Sequence, residues 1–216
     1  MAIDFKNIKA QYITHYSDKY EPYQLAEMAC KGGINCIQLR MKKAKHDEII
    51  EQGLKIREIC DKYNAIFILN DKVELVKTVN ADGVHVGKDD MSVEKAREIL
   101  GNDKIIGGTA NTFEDILLHY KYGADYIGLG PYRFTKTKEN LNAILARDGY
   151  MDIIEKCVNA NIIIPIYAIG GIRVEDIREL SYTGISGIAL SSVINNSENP
   201  IEKSKEIIKE LEIYFK

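Results

Sequence analysis

Residues 65–69 read Ala-Ile-Phe-Ile-Leu, and Asn70-Asp71 follow at once. An unbroken apolar run leaves a strand no polar face. Strands covered on both sides read this way, and parallel sheets cover their strands on both sides. Working outward, similar short β-rich runs occur at Gln11–Thr14, Cys36–Leu39, Gly83–Val86, Lys104–Gly107, Tyr126–Leu129, Ile163–Ile166 and Gly187–Leu190. Segments of helical spacing lie between them. His46–Tyr63 has helical spacing, with Ile49, Ile50, Leu54, Ile56 and Ile59. Val93–Leu100 follows Ser92, a natural N-cap, with Glu94 in its first turn. Phe113–Tyr122, Tyr150–Asn159, Val174–Leu180 and Pro200–Phe215 complete the set.

The alternation amounts to about eight βα units, and right-handed crossovers force them into a parallel sheet with helices outside. The fold class predicted is α/β, a single-domain (β/α)8 TIM barrel over residues 1–216. An open doubly wound sheet is weakened because no GxGxxG follows the first strand. The composition is that of an ordinary globular chain. Charged residues make up 28% and hydrophobic ones 45% of 216 residues, which excludes disordered and collagen-like chains. Lys plus Arg is 29 against 32 for Asp plus Glu, a net charge of −3, so the basic excess of a nucleic-acid binder is missing. The most apolar stretch, Ile162–Ile172, is short and contains Pro165, which argues against a membrane span. The N-terminus has no apolar signal core. Cys30, Cys36, Cys60 and Cys157 show no CxxC spacing, which reads as reduced thiols in a cytoplasm. A barrel of this kind is compatible with a homo-oligomer.

Function in such a barrel collects where the strands end. Gln38, Arg40 and Lys42 alternate along and beyond the second strand, so all three face one site. Asn70-Asp71 follow the third strand, Asp89-Asp90 the fourth, and Gly107-Gly108-Thr109 the fifth. After the sixth comes Gly130-Pro-Tyr-Arg-Phe-Thr-Lys-Thr-Lys138. Arg40, Lys42, Arg133, Lys136 and Lys138 thus gather positive charge at one rim. Asp71 and Asp90 (or Asp89) among these cations suit Mg²⁺ bridging to a phosphate. Gly170-Gly171 and Ser191-Ser192, after the seventh and eighth strands, stand where such barrels hold phosphate on backbone N–H groups. Taken singly, Asp71 and Asp90 read equally well as caps and the glycines as a tight turn. His85 reads as a packed or hydrogen-bonded residue rather than a base. It is the recurrence at one level of several strands that favours a site.

Five segments resemble the thiamine phosphate synthase family: IQLRMK (Ile37–Lys42), ILNDKVELV (Ile68–Val76), ADGVHVGKDD (Ala81–Asp90), DYIGLGPYRFTKTK (Asp125–Lys138) and IPIYAIGGI (Ile164–Ile172). The resemblance covers nearly the whole chain. It implies a transferase on a (β/α)8 barrel that condenses hydroxymethylpyrimidine diphosphate with hydroxyethylthiazole phosphate, releasing pyrophosphate by Mg²⁺-assisted dissociative substitution. It further implies that Gln38, Arg40, Lys42 and Asn70 bind the pyrimidine diphosphate and that Asp71 and Asp90 hold Mg²⁺. Thr109 stands where the family usually has Ser. Thr135, Thr137 and Lys138 fall on the loop that contacts the thiazole phosphate and pyrophosphate. Gly171, Ser191 and Ser192 complete the thiazole phosphate cradle. Arg40, Lys42 and Lys138 are expected to stabilise the departing pyrophosphate, and the Gly130–Asp148 connection to act as a lid. The chain departs from the family pattern at Met41, Lys88-Asp89-Asp90, Asn111 and Tyr132-Arg133-Phe134. Rival readings are a thiazole tautomerase on the same barrel, another phosphate-sugar barrel such as an epimerase, and a non-catalytic binder of thiazole or thiamine phosphates.

Overall fold

A computed structural model describes Phe5, residues 8–134 and residues 143–215. Its eight strands are all parallel and close into a ring in sequence order. They are β1 Ala10–Ile13, β2 Cys36–Leu39, β3 Ile66–Asn70, β4 Gly83–Val86, β5 Ile105–Ala110, β6 Tyr126–Leu129, β7 Ile166–Ile169 and β8 Gly187–Leu190. Closure comes from β1 pairing with β8, with Gln11 opposite Ala189. The helices are α1 Pro22–Lys31, α2 His46–Tyr63, α3 Val93–Leu100, α4 Phe113–Lys121, α5 Ala146–Asn159, α6 Ile177–Ser181, α7 Ser192–Asn195 and α8 Pro200–Tyr214. The (β/α)8 barrel expected from the alternation is therefore the fold. No described helix is long and apolar enough to cross a membrane.

The main departures from the sequence reading are the seventh strand and the helices α1 and α7, neither of which that reading includes. The seventh strand was expected at Ile163–Ile166 and lies at Ile166–Ile169. Pro165 has no N–H to give a ladder, so pairing starts after it. Ile163 is left outside, 80% exposed. The connection from β3 to β4, where the sequence offers no helical segment, carries a 3-10 turn over Val73–Leu75. By contrast, α3 starts where its cap predicts: Ser92 Oγ accepts from Lys95 N at 3.2 Å.

Alternation along each strand divides the core in two. Ile37, Leu39, Phe67, Leu69, Ile127 and Leu129 point outward and pack under the helices. Cys36, Ile68, Ile105, Tyr126 and Tyr167 point inward and fill the ring with Phe5 and Ile8. Phe5 seals the end where the strands begin. Its ring stacks on Tyr126 with centroids 4.4 Å apart and an interplanar angle of 9°. It also meets Tyr167 edge-on at 5.6 Å. Pairs of this kind contribute about 0.5–1.5 kcal/mol each beyond the area they bury. The Tyr167 hydroxyl donates to the carbonyls of Phe5 (2.7 Å) and Ile8 (2.8 Å), fixing the segment that enters β1.

Gly107 on β5 is what lets the Tyr126 ring cross the interior. A Cβ there would lie 2.2 Å from Tyr126 Cζ and 2.6 Å from His85 Nδ1. Gly107→Ala is expected to cost about 1–3 kcal/mol through overpacking. A urea midpoint equal to that of the parent chain would show that the ring can yield.

Candidate functional site

The ends of the strands surround one pocket at the opposite pole from Phe5. From β2 it is lined by Gln38, Arg40 and Lys42, and from β3 by Asn70 and Asp71. Thr109 comes from β5, and Gly171, Ser191 and Ser192 come from the turns after β7 and β8. Asp90 stands just outside that lining and joins it through Lys42. These nine positions, together with Gly130, Pro131 and Gly170, thus share one cavity. Thr135, Thr137 and Lys138, like Lys136, lie outside the described residues.

The β2 side is positioned by backbone. Thr14 N donates to Gln38 O at 2.9 Å, and Arg40 N donates to Thr14 Oγ1 at 2.9 Å. This continues the β1–β2 ladder just past the strands and carries Arg40 up to the mouth. Its guanidinium stands 3.5 Å from His15 Nδ1. Lys42 Nζ lies 3.2 Å from an Asp71 oxygen and 3.4 Å from Asp90 Oδ2. One ammonium therefore serves two carboxylates.

Asp71 sits at φ +63°, a left-handed conformation that Asp tolerates better than most side chains. Asp71 N donates to His85 O at 2.8 Å, which holds the turn against β4. Burial, and then the neighbouring Asp90 carboxylate, push the Asp71 carboxyl above its ordinary range, while Lys42 pulls it back. A held backbone outlier beside a like-charged partner is the kind of arrangement found at functional sites. No group of three or more His, Cys, Asp or Glu among the described residues is placed to hold a metal. Two carboxylates are what a Mg²⁺ shared with a phosphate takes from a protein, so this pair fits such an ion.

Two buried polar atoms point to a ligand as well. Among the described residues, Gln38 Nε2 and Ser191 Oγ are buried and meet no hydrogen-bond partner, although such atoms are normally satisfied. Gly170 and Gly171 have φ of +94° and +70°. A Cβ on Gly171 would lie 2.5 Å from Arg133 Cγ, so only glycine lets the post-β7 turn pass under that side chain. The turn is bare backbone facing the pocket, as a phosphate cradle requires.

Arg133 does not add its charge to the mouth as expected. It donates to both oxygens of Asp176, at 2.7 and 2.9 Å. Asp176 also accepts from Arg173 N at 2.8 Å, at the turn that enters α6. The pair ties the start of the post-β6 loop to the post-β7 segment. Residues 43 positions apart form it, so no local pattern announces it. His15, His85 and Asn111 also reach the site. Asn111 Nδ2 donates to Gly130 O, where a cis Gly130-Pro131 bond begins the loop. His15 lies two residues beyond β1, so the strand-end rule, applied to the first strand too, would have found it.

Comparison with known proteins agrees with this geometry. The sequence model of the family described as thiamine monophosphate synthase matches residues 10–194. The chain is 51% identical over 203 residues to a thiamine-phosphate synthase of Phocaeicola vulgatus, covering 94% of this chain and 98% of that one. It is 37% identical to the thiamine-phosphate synthase of Fusobacterium nucleatum over 208 residues, covering 95% and 98%. Among solved structures, a thiamine phosphate pyrophosphorylase from Pyrococcus furiosus superposes with a TM-score of 0.88 at 33% identity, covering 99% of this chain and 100% of that one.

The Arg133–Asp176 clamp is testable apart from chemistry. Asp176→Ala removes an ion pair and a backbone acceptor together, at an expected cost of about 1–3 kcal/mol. The loss stays below that of a fully buried pair because the Arg133 side chain is 34% exposed. Asp176→Asn keeps an acceptor for Arg173 N and is expected to lose less. Equal denaturant midpoints for the two variants would discount the ion pair.

Proposed function

The chain belongs to the thiamine monophosphate synthase family, and from that premise we propose how its pocket carries out the reaction. It is a transferase of the thiamine-phosphate synthase type. The reaction we assign joins hydroxymethylpyrimidine diphosphate to hydroxyethylthiazole phosphate, forming thiamine phosphate and pyrophosphate. The observation that carries the assignment is the Lys42–Asp71–Asp90 triangle, standing in the mouth of the barrel with Arg40 close by.

In the proposed reaction the carbon–oxygen bond to the diphosphate breaks first. The aminopyrimidine can hold the resulting cation, and the thiazole nitrogen then supplies the electron pair for the new carbon–nitrogen bond. The protein's part is electrostatic and positional, and no nucleophilic side chain is required. Arg40 and Lys42 face the negative charge that grows on the departing diphosphate. Gln38, whose amide nitrogen meets no partner among the described residues, and Asn70 grip the pyrimidine diphosphate from neighbouring strands. Gly171 and the backbone around Ser191-Ser192 hold the thiazole phosphate. Anchoring by the phosphate lowers the entropic cost of bringing the thiazole nitrogen to a short-lived cation. Mg²⁺, held by Asp71 and Asp90, would supply further neutralisation of the diphosphate charge. Lys138, on residues outside those described, is assigned to the same anionic leaving group from sequence alone. Four buried thiols, all unpaired, support a reducing compartment such as the cytoplasm.

The deciding experiment mixes both substrates with Mg²⁺ and follows thiamine phosphate and pyrophosphate together. Their formation in equal amounts is expected. Isomerisation of a thiazole carboxylate phosphate without pyrophosphate release would assign the tautomerase reaction instead. Asp71→Asn and Asp90→Asn are each expected to reduce turnover by about 100-fold or more, the scale on which preorganised charge stabilisation acts. Parent-level turnover for either variant in limiting Mg²⁺ would remove the carboxylates from the metal role.

A further inference from the structure

Beneath the pocket floor runs a chain of polar side chains that the reaction above does not use. Thr109 Oγ1 lies 2.9 Å from His85 Nε2. His85 Nδ1 lies 3.1 Å from the Tyr126 hydroxyl. Gln11 Nε2 donates to that same hydroxyl at 3.2 Å. Room for the chain is kept by glycine: a Cβ at Gly128 would lie 3.0 Å from His85 Cε1. All but Thr109 are buried.

The direction of each bond follows from counting protons. The Tyr126 hydroxyl has two hydrogen-bond partners among the described residues, Gln11 and His85. It accepts from Gln11, so its single proton has His85 Nδ1 to go to. The opposite arrangement would bury a hydroxyl proton with no acceptor, at a cost of about 1–3 kcal/mol. Burial also holds the Tyr126 phenol well above its ordinary range, so the proton stays on it. With Nδ1 accepting, the other ring nitrogen of His85 carries the imidazole proton and donates to Thr109.

We infer that Tyr126 is a positioning residue that fixes the Nε2–H tautomer of His85, so that the Thr109 hydroxyl donates its own proton into the pocket. Thr109 then selects a substrate atom that accepts a hydrogen bond, a ring nitrogen or a diphosphate oxygen, and disfavours an amino group there. The selection rests on the reaction assigned above, whereas the tautomer does not.

The chain labelled with ¹⁵N at its 4 histidines tests the tautomer directly, without substrate. His85 resonances are identified by their loss in His85→Asn. Long-range ¹H–¹⁵N correlation is expected to show an unprotonated Nδ1 and a protonated Nε2. A protonated Nδ1 would overturn the inference, since it would mean that Gln11 presents its carbonyl and Tyr126 donates to it. In Tyr126→Phe the tautomer preference is expected to weaken, and kcat/KM for the pyrimidine diphosphate to fall about 10-fold, one hydrogen bond's worth. Thr109→Val is expected to fall comparably, and the double variant no further than the worse single one. Losses that multiply in the double variant would show that Tyr126 acts on something other than Thr109. Should Tyr126→Phe not fold, the parent spectrum still decides. An inactive parent chain with a protonated Nε2 would remove the reaction assignment and leave the tautomer standing.

Discussion

Hydrogen bonds from Ala10–Ile13 to Gly187–Leu190 turn a sheet into a ring, and most of what the protein does depends on that seam. An open parallel sheet spreads its strand ends along a line. A closed one gathers them around a single opening. Gln38 on the second strand and Ser191 after the eighth are 153 positions apart in the chain (191 − 38), yet they line the same cavity. The ladder that closes the ring also reaches into the site, since Thr14, one residue past β1, supports the backbone at both Gln38 and Arg40.

The ring also sets the electrostatics of the mouth. Neighbouring strands β3 and β4 place two carboxylates within reach of one ammonium from β2. Such proximity is costly to build. It requires a left-handed Asp71 and an acidic pair in a half-desolvated place. Arg133 makes the contrast. Its charge is fully engaged by Asp176, so it serves the architecture of the loops and leaves the mouth's cationic character to Arg40 and Lys42. Similar side chains at the same rim thus do different work, according to which carboxylate the fold brings to them.

Much of this was legible in the sequence. The reading placed β2, β4, β6 and β8 at the bounds they have, because each is a short, mostly apolar run ending where the chain turns. The pocket was legible for the same reason, since strand register carries residues at corresponding levels to one face. What escaped depends on tertiary accounting. Pro165 delayed β7 by three residues. The partner of Arg133 lies on another βα unit, and the Gln11–Tyr126–His85–Thr109 chain joins strands β1, β6, β4 and β5 across the interior. Periodicity reports which way a side chain points, and it is silent on which neighbour that side chain meets.

The aromatic stopper of Phe5, Tyr126 and Tyr167 shuts the far end of the ring. In the reaction proposed above, both substrates and both products would therefore pass through the mouth that the described strand ends surround. A molecule seated deep can leave only after whatever lies above it has cleared, so the sequence of arrivals is written into the sequence of departures. Traffic through the mouth, as much as bond breaking within it, becomes part of how fast such a catalyst can run.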